Sequence, residues 1–320
     1  MPEFSIVIPV YNAESTLDAA INSVLKQTYN NWELIIVDDC STDNSLEMAR
    51  RYSERDVRIR TICLKHNSGN AKRPIDEGVK EAKGTYCVIL YDDDEIESDY
   101  LRIMQNNIKD GADVVLPVMV VKIPGRDGEY GRIPNNEPLF VSYTGRDACK
   151  LTLPEWELGC NGMAFRRELY NHVFEQNNYF HMNSDEFSER LILFYAERVV
   201  QSRAEYYFWQ LQTSITHKKT TKLYESLYVD EQLMEFAKMH YDEDQIEKVF
   251  SYAISRLMVL QKDYYRDKNL YSDEEKEKIR HILDEAFAYL QDITGVKKSV
   301  KEKFLLSNAI LFRLICRTKL

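Results

Sequence analysis

Four acids in a row, Asp92-Asp93-Asp94-Glu95, follow directly on the apolar run Tyr86-Cys87-Val88-Ile89-Leu90-Tyr91. Like charges packed this closely repel one another, so the cluster is tolerable only where water solvates it or a cation neutralises it. One chemistry open to it is therefore to hold a divalent ion against a phosphorylated ligand. A helix cap also calls for acids before and within its first turn, but four exceed what a cap needs. Two other apolar runs end in polar groups. Phe4 to Val10 stops at Tyr11-Asn12, and Trp32 to Val37 stops at Asp38-Asp39.

The elements that must position these groups can be read from hydrophobic periodicity. Short apolar runs at Phe4–Val10, Trp32–Val37, Val57–Leu64, Tyr86–Leu90 and Ala112–Lys122 read as buried strands. Between them, Leu17, Ala20, Ile21, Val24 and Leu25 recur at helical spacing, as do Leu46, Ala49 and Tyr52. Further helices are expected over Ile75–Ala82 and around Tyr100, Leu101, Met104 and Ile108. Alternating strands and helices predict an α/β protein with a doubly wound, mostly parallel sheet. Ligands of such sheets bind outside the carboxyl ends of the strands. Tyr11, Asp39 and Asp92 to Asp94 should therefore meet on one rim although they are far apart in the chain.

The ligand can be narrowed further. The first strand-to-helix turn, Pro9-Val10-Tyr11-Asn12-Ala13-Glu14, lacks the Gly-x-Gly-x-x-Gly that brings a pyrophosphate to a helix end, and no Gly-x-x-x-x-Gly-Lys-Ser/Thr loop occurs. A phosphate held here needs a cation carried by carboxylates. A carboxylate near Tyr11 can also accept from a pyrimidine N–H while the ring stacks. A nucleoside-diphosphate donor with a divalent ion meets both requirements.

The totals bound the alternatives. With 320 residues, 44% hydrophobic and 29% charged, the chain has material for two domains. The net charge of -10 argues against a general nucleic-acid binder. Six cysteines without a Cys-x-x-Cys pair suggest neither a zinc site nor a disulfide framework. The first residues show no basic, apolar leader and no run reaches bilayer length, so a cytoplasmic protein is expected.

Three blocks carry a resemblance. Phe4-Ser5-Ile6-Val7-Ile8-Pro9-Val10-Tyr11-Asn12, then Ser23-Val24-Leu25-Lys26-Gln27-Thr28, then Glu33-Leu34-Ile35-Ile36-Val37-Asp38-Asp39-Cys40-Ser41-Thr42-Asp43 resemble the inverting family 2 glycosyltransferases of the GT-A fold. The resemblance covers roughly residues 4 to 215. It implies a nucleotide-sugar donor (a UDP-sugar by preference), a Mn or Mg ion, and transfer of one sugar to a carbohydrate or lipid-linked acceptor hydroxyl. By position, Pro9, Tyr11 and Asp39 would contact the base, with Val10, Asn12 and Glu14 in the same donor-binding stretch. Asn67, Gly69, Lys72 and Arg73 belong to a segment similar to the one beside the diphosphate, particularly in enzymes that glycosylate polyol-phosphate wall polymers. Asp92 and Asp93 would face the donor, and Asp93 with Asp94 would hold the metal. Ser184-Asp185 aligns with the pair that includes the catalytic base, which implies that role for Asp185. A base is needed because a hydroxyl is a poor nucleophile until its proton begins to leave.

The sequence departs from the family pattern twice. Tyr91 stands where the first Asp of the acidic motif belongs, and Ile75-Asp76 replaces an Arg-Asn pair before Gly78. These departures motivate a second reading, a non-catalytic carbohydrate-binding or scaffold protein derived from a transferase. A sugar-phosphate nucleotidyltransferase is a third, disfavoured by the missing Gly-rich first loop.

The expected division is a transferase domain over 1–220 and a helical region over 221–320 for packing, homodimerisation or membrane association. Leu227, Leu233, Phe236 and Met239 mark one helix there, Val249 to Gln261 a second, and Glu274 to Leu290 a third, capped by Ser272. Farther on, Lys297, Lys298, Lys301 and Lys303 precede Phe304-Leu305-Leu306 and Ile310-Leu311-Phe312. That pattern suits peripheral contact with an anionic membrane.

Overall fold

The computed structural model describes residues 1–125, 131–133, 141–175, 184–210 and 219–318. By its contacts the chain divides into two compact units. One comprises Met1–Phe180 and Ser188–Gln212, the other His181–Phe187 and Thr213–Leu320.

The first unit alternates strands and helices as the periodicity predicts: β1 (Phe4–Val10), α1 (Leu17–Leu25), β2 (Trp32–Asp38), α2 (Ser45–Arg55), β3 (Ile59–Cys63), α3 (Lys72–Glu81), β4 (Tyr86–Ile89), β5 (Glu95–Ile96) and α4 (Tyr100–Lys109). Then come β6 (Val114–Lys122), β7 (Gly131–Ile133), β8 (Ser142–Tyr143), α5 (Gly145–Lys150), β9 (Ala164–Arg166), α6 (Asn171–Glu175), α7 (Ser184–Tyr195, whose first residues count with the second unit) and β10 (Val199–Trp209). The sheet order is β3-β2-β1-β4-β9-β6-β10-β5, with β7 beside β6 and β8 beside β10. β3, β2, β1 and β4 run parallel. β9 enters antiparallel between β4 and β6. Every residue of β1 and β2 is buried, as strands covered on both faces require.

Two local features shape this sheet. Gly78 lets α3 lie close on β1: a Cβ there would stand 2.3 Å from Val7 Cγ1. α3 also begins three residues earlier than expected, because Pro74 falls within its first turn, where a missing N–H costs no helix bond.

The second feature is Pro117, in the middle of β6. A proline cannot donate to a ladder and is accommodated at bulges. The β6–β10 register breaks there: Leu116 pairs with Gln201, but Val118 pairs with Glu205. Gln201 Nε2 and Ser202 Oγ turn inward and donate to the carbonyls of Leu116 and Pro117 that the broken ladder leaves over.

The second unit is helical over its described residues, as expected for the region beyond 221: α8 (Lys222–His240), α9 (Glu243–Asp267), α10 (Asp273–Asp292), α11 (Val300–Leu305) and α12 (Ala309–Thr318). Ser272 caps α10 in a capping box with Glu275. Among the described residues no helix is long and apolar enough to cross a membrane.

Candidate functional site

β1 lies between β2 and β4, and all three point the same way, so their carboxyl ends open on one rim. The connections there are direct. The Tyr11 N–H donates to Asp92 Oδ2 (3.3 Å), and the Asp39 N–H donates to the Val10 carbonyl (2.8 Å). Groups 81 residues apart, from the first and fourth strands, thus meet. The Tyr11 side chain is exposed over this rim, where a flat ring could stack.

Asp39 is buried and committed. Its carboxylate accepts from the Ser68 N–H (2.9 Å), from Ser68 Oγ (2.8 Å) and from the Gly69 N–H, while its carbonyl accepts from Asn67 Nδ2 (3.0 Å). Burial raises its pKa despite those donors, and the neighbouring Asp38 adds to the rise. Asp39 therefore pins the Asn67–Asn70 loop to the end of β2, and Gly69 turns that loop at φ +83°.

Asn12 and Glu14 act similarly on the next turn. Asn12, itself left-handed at φ 52°, donates its N–H to Ser41 Oγ and accepts from the Thr42 N–H through Oδ1 (2.7 Å). Glu14 Oε2 accepts from Asn44 Nδ2 (2.9 Å) and the Asn44 N–H. Pro9 and Val10 are buried within β1. Of the six residues expected at the base end, Tyr11, Asn12 and Glu14 are exposed, but Asn12 and Glu14, like the buried Asp39, are engaged in bracing the loops around the Tyr11 ring.

On the phosphate side, Lys72 and Arg73 divide. Lys72 is buried, and its Nζ donates to Asp76 Oδ2 (2.6 Å); Tyr170 donates to the other oxygen of Asp76 (2.8 Å). The Asp at position 76 thus neutralises a lysine inside the protein. Arg73 stays exposed, and its guanidinium makes no ion pair among the described residues.

The acidic turn divides as well. Asp94 is buried: Oδ2 accepts from Tyr206 Oη (2.7 Å) and Oδ1 from the Trp209 N–H (2.9 Å). Tyr206 Oη also accepts from the Tyr91 N–H (3.3 Å), and Trp209 Nε1 donates to Glu95 (3.0 Å). The far half of β10 therefore grips both ends of the turn. Burial pushes the Asp94 carboxyl well up, and the charge of Asp93 adds to it. Burial and Asp94 together push the Tyr206 phenol up, so it stays a donor.

Asp92 and Asp93 are half-buried on the rim. Burial first and the Asp93 charge second raise Asp92 to about 7. A cation would reverse both causes. Among the described residues no three His, Cys, Asp or Glu side chains converge as a metal cage. One or two carboxylates completed by a ligand's phosphate oxygens is the donor set characteristic of Mg and similar hard ions, and the pair Asp92–Asp93 fits it. The sequence reading assigned Asp94 beside Asp93; in the structure Asp94 is buried against Tyr206 and Trp209, while Asp92 and Asp93 are both half-buried.

The run Tyr206-Tyr207-Phe208-Trp209 reads from the sequence as a final strand near the donor phosphates, but that reading gives no role to the Tyr206 and Trp209 side chains until their partner turn is known. Asp185 stands half-buried in the first turn of α7 and counts with the helical unit. Phe187, two residues on, packs edge-on against Phe236 of α8 (6.0 Å).

The strand ends of a mostly parallel sheet thus gather an aromatic ring and paired carboxylates on one rim. Residues 5–174 match glycosyl transferase family 2, and the chain belongs to that family. It is 31% identical over 193 residues to the glycosyltransferase GlyG of Streptococcus pneumoniae, spanning 54% of this chain and 60% of that protein. It is 30% identical over 128 residues to the poly(ribitol-phosphate) beta-N-acetylglucosaminyltransferase TarS of Staphylococcus aureus, spanning 39% and 22%. The chain thus spans less than two thirds of the length of these curated relatives. A crystal structure of TarS 1-349 in complex with UDP-GlcNAc superposes with a TM-score of 0.57 at 19% identity, covering 89% of this chain and 91% of that one; the likeness is one of fold.

Proposed function

We propose that this chain transfers a sugar, with inversion, from a UDP-sugar to a hydroxyl of a cell-surface polysaccharide, lipid-linked or wall-polymer acceptor. The observation that carries the reading is the meeting of Tyr11, Asp39 and the Asp92–Asp93 pair at the ends of β1, β2 and β4. One relative supports the donor and acceptor classes: TarS is named for transfer of N-acetylglucosamine to poly(ribitol-phosphate), and a structure of TarS 1-349 is a complex with UDP-GlcNAc.

In this reading the Tyr11 ring stacks on the base and Arg73 faces the diphosphate. Asp93, with Asp92, would hold a Mn or Mg ion, which when bound would supply positive charge at the diphosphate. Asp185 takes the proton of the acceptor hydroxyl. The freed oxygen bonds to the anomeric carbon from the face opposite the nucleotide while the carbon–oxygen bond to the diphosphate breaks, releasing UDP. Inversion follows from that single displacement.

A screen of nucleotide sugars, read by UDP release and product mass, tests the reading. Asp185→Asn should lower kcat by roughly 10²–10⁴ with KM for the donor little changed. Asp93→Ala should abolish cation-dependent stabilisation by UDP in a thermal melt. Release of pyrophosphate, or wild-type rates for both variants, would overturn the proposal.

A further inference from the structure

Four large apolar side chains stand in water within fifteen residues of one another: Val300 (86% exposed), Phe304 (56%), Ile310 (67%) and Leu314 (49%). Such clustering marks an interaction surface, where scattered exposed residues would not. They sit on two short helices in a regular way. α12 buries Phe312 and Cys316, packing Phe312 on the Phe287 ring (5.1 Å) and lying against α9. Ile310 and Leu314, each two residues from one of these, project to the opposite side. On α11, Leu305 is buried, while Val300 and Phe304 share an exposed side one turn apart.

The charge of this stretch sets it against the rest of the chain. Residues 297–320 contain seven Lys or Arg and one acid, Glu302, so they carry +6, whereas the other 296 residues carry -16 of the chain's total of -10. Some of these cations serve the fold. Arg313 pairs with Asp284, Lys297 lies 3.5 Å from Glu247, Lys298 donates to the Gln291 carbonyl, and the Arg317 guanidinium covers the Tyr265 ring. Lys301 and Lys303, which flank Phe304, are exposed and make no ion pair among the described residues. Exposed apolar side chains next to lysines that make no ion pair among the described residues are complementary to a surface with anionic headgroups over an apolar interior. A second copy paired through a two-fold axis would bring the same lysines face to face, which like charge opposes.

We propose that α11 and α12 form a peripheral docking surface for an anionic lipid bilayer. Val300, Phe304, Ile310 and Leu314 enter the boundary between headgroup and acyl chain, and Lys301 and Lys303 lie at the phosphates. This goes beyond the transferase reading, and its test needs no turnover.

The test is co-sedimentation of the full chain with phosphatidylcholine vesicles, with and without one part in three of phosphatidylglycerol. Binding to the anionic vesicles should exceed binding to the neutral ones by about tenfold or more and weaken in high salt. Ile310→Ser with Leu314→Ser should lower it about tenfold. Lys301→Glu with Lys303→Glu should do the same, and because these lysines are exposed the second pair decides the matter even if the first fails to fold. Equal binding to both vesicle types, no binding, or binding indifferent to the lysine changes would overturn the proposal. So would a dimer in sedimentation velocity that the Ser pair disperses, which would assign the face to a second copy of this chain.

Discussion

Replacing Tyr206 by Phe removes one oxygen atom and tests how the acidic turn is held. Tyr206 is fully buried, with Gly162 against its ring: a Cβ on Gly162 would lie 2.2 Å from Tyr206 Cδ2. Its hydroxyl serves Asp94 and the Tyr91 N–H at once. In Tyr206→Phe the buried Asp94 keeps the Trp209 N–H but loses its other donor. Stranding a buried polar group in this way costs about 1–3 kcal/mol. For a unit of this size each kcal/mol moves the Tm by about 2–4 °C, so a fall of about 4–8 °C is expected for the middle of that range. Differential scanning calorimetry of Tyr206→Phe, Asp94→Asn and the double variant gives the coupling, expected at about 1 kcal/mol or more. The Mn-dependent rise in Tm with UDP should shrink in Tyr206→Phe, because Asp92 and Asp93 stand on the turn that Tyr206 fixes. A single-variant Tm within a degree of wild type, together with additive costs, would refute the idea that β10 holds the turn.

Other expectations follow from single contacts. Gly78→Ala should destabilise by roughly 1–3 kcal/mol in urea unfolding, since its methyl would meet the stiff side chain of Val7 at 2.3 Å; an unchanged midpoint would show that α3 shifts freely. Arg73→Ala should raise the KM for donor with little change in stability, whereas Lys72→Ala should lower the Tm by stranding Asp76; the reverse pattern would exchange their assignments. Glu231 on α8 has its carboxyl raised to about 7, by burial first and then by Glu285 and Asp230. The folded form thus favours the neutral acid. Its contribution is full below the ordinary carboxylate pKa and is lost as pH rises through about 7. Glu231→Gln should therefore gain about 1 kcal/mol over wild type at pH 8, after allowance for solvent screening, and nothing at pH 4. Equal pH slopes for the two proteins would refute this.

Much of this arrangement was legible in the sequence because it rests on short-range pattern. Phe4–Val10 and Trp32–Val37 are apolar except at Ser5 and Glu33, which bond to each other, and a run that apolar suits a strand covered on both faces; their polar ends then had to share a rim. Ser272 and Glu275 announced the start of α10 in the same local way. Partnership across the chain was not legible. Asp94 and Tyr206 are 112 residues apart, so the acid that looks most like its neighbours along the chain is the one turned inward. Asp39 read as a base contact because Ser68, its donor, lies 29 residues away in a loop that the resemblance set beside the diphosphate. Lys72, placed by resemblance in a segment beside the diphosphate, pairs with Asp76 one helical turn on, and only the distant Tyr170 on the same carboxylate was beyond local pattern.

The irregularity opposite Pro117 reaches further than its position suggests. Because β10 takes four steps from Gln201 to Glu205 while β6 takes two from Leu116 to Val118, the two halves of β10 are phased independently. The first half keeps step with the sheet, and the second is free to align its aromatic residues with the acidic turn. Deleting one residue between 202 and 204 would rotate Tyr206 to the opposite side of the strand and carry its hydroxyl away from Asp94. A single imino acid within β6 thus acts as the phase-setter of the rim, and the length of the segment facing it should tolerate no change, however freely its side chains vary.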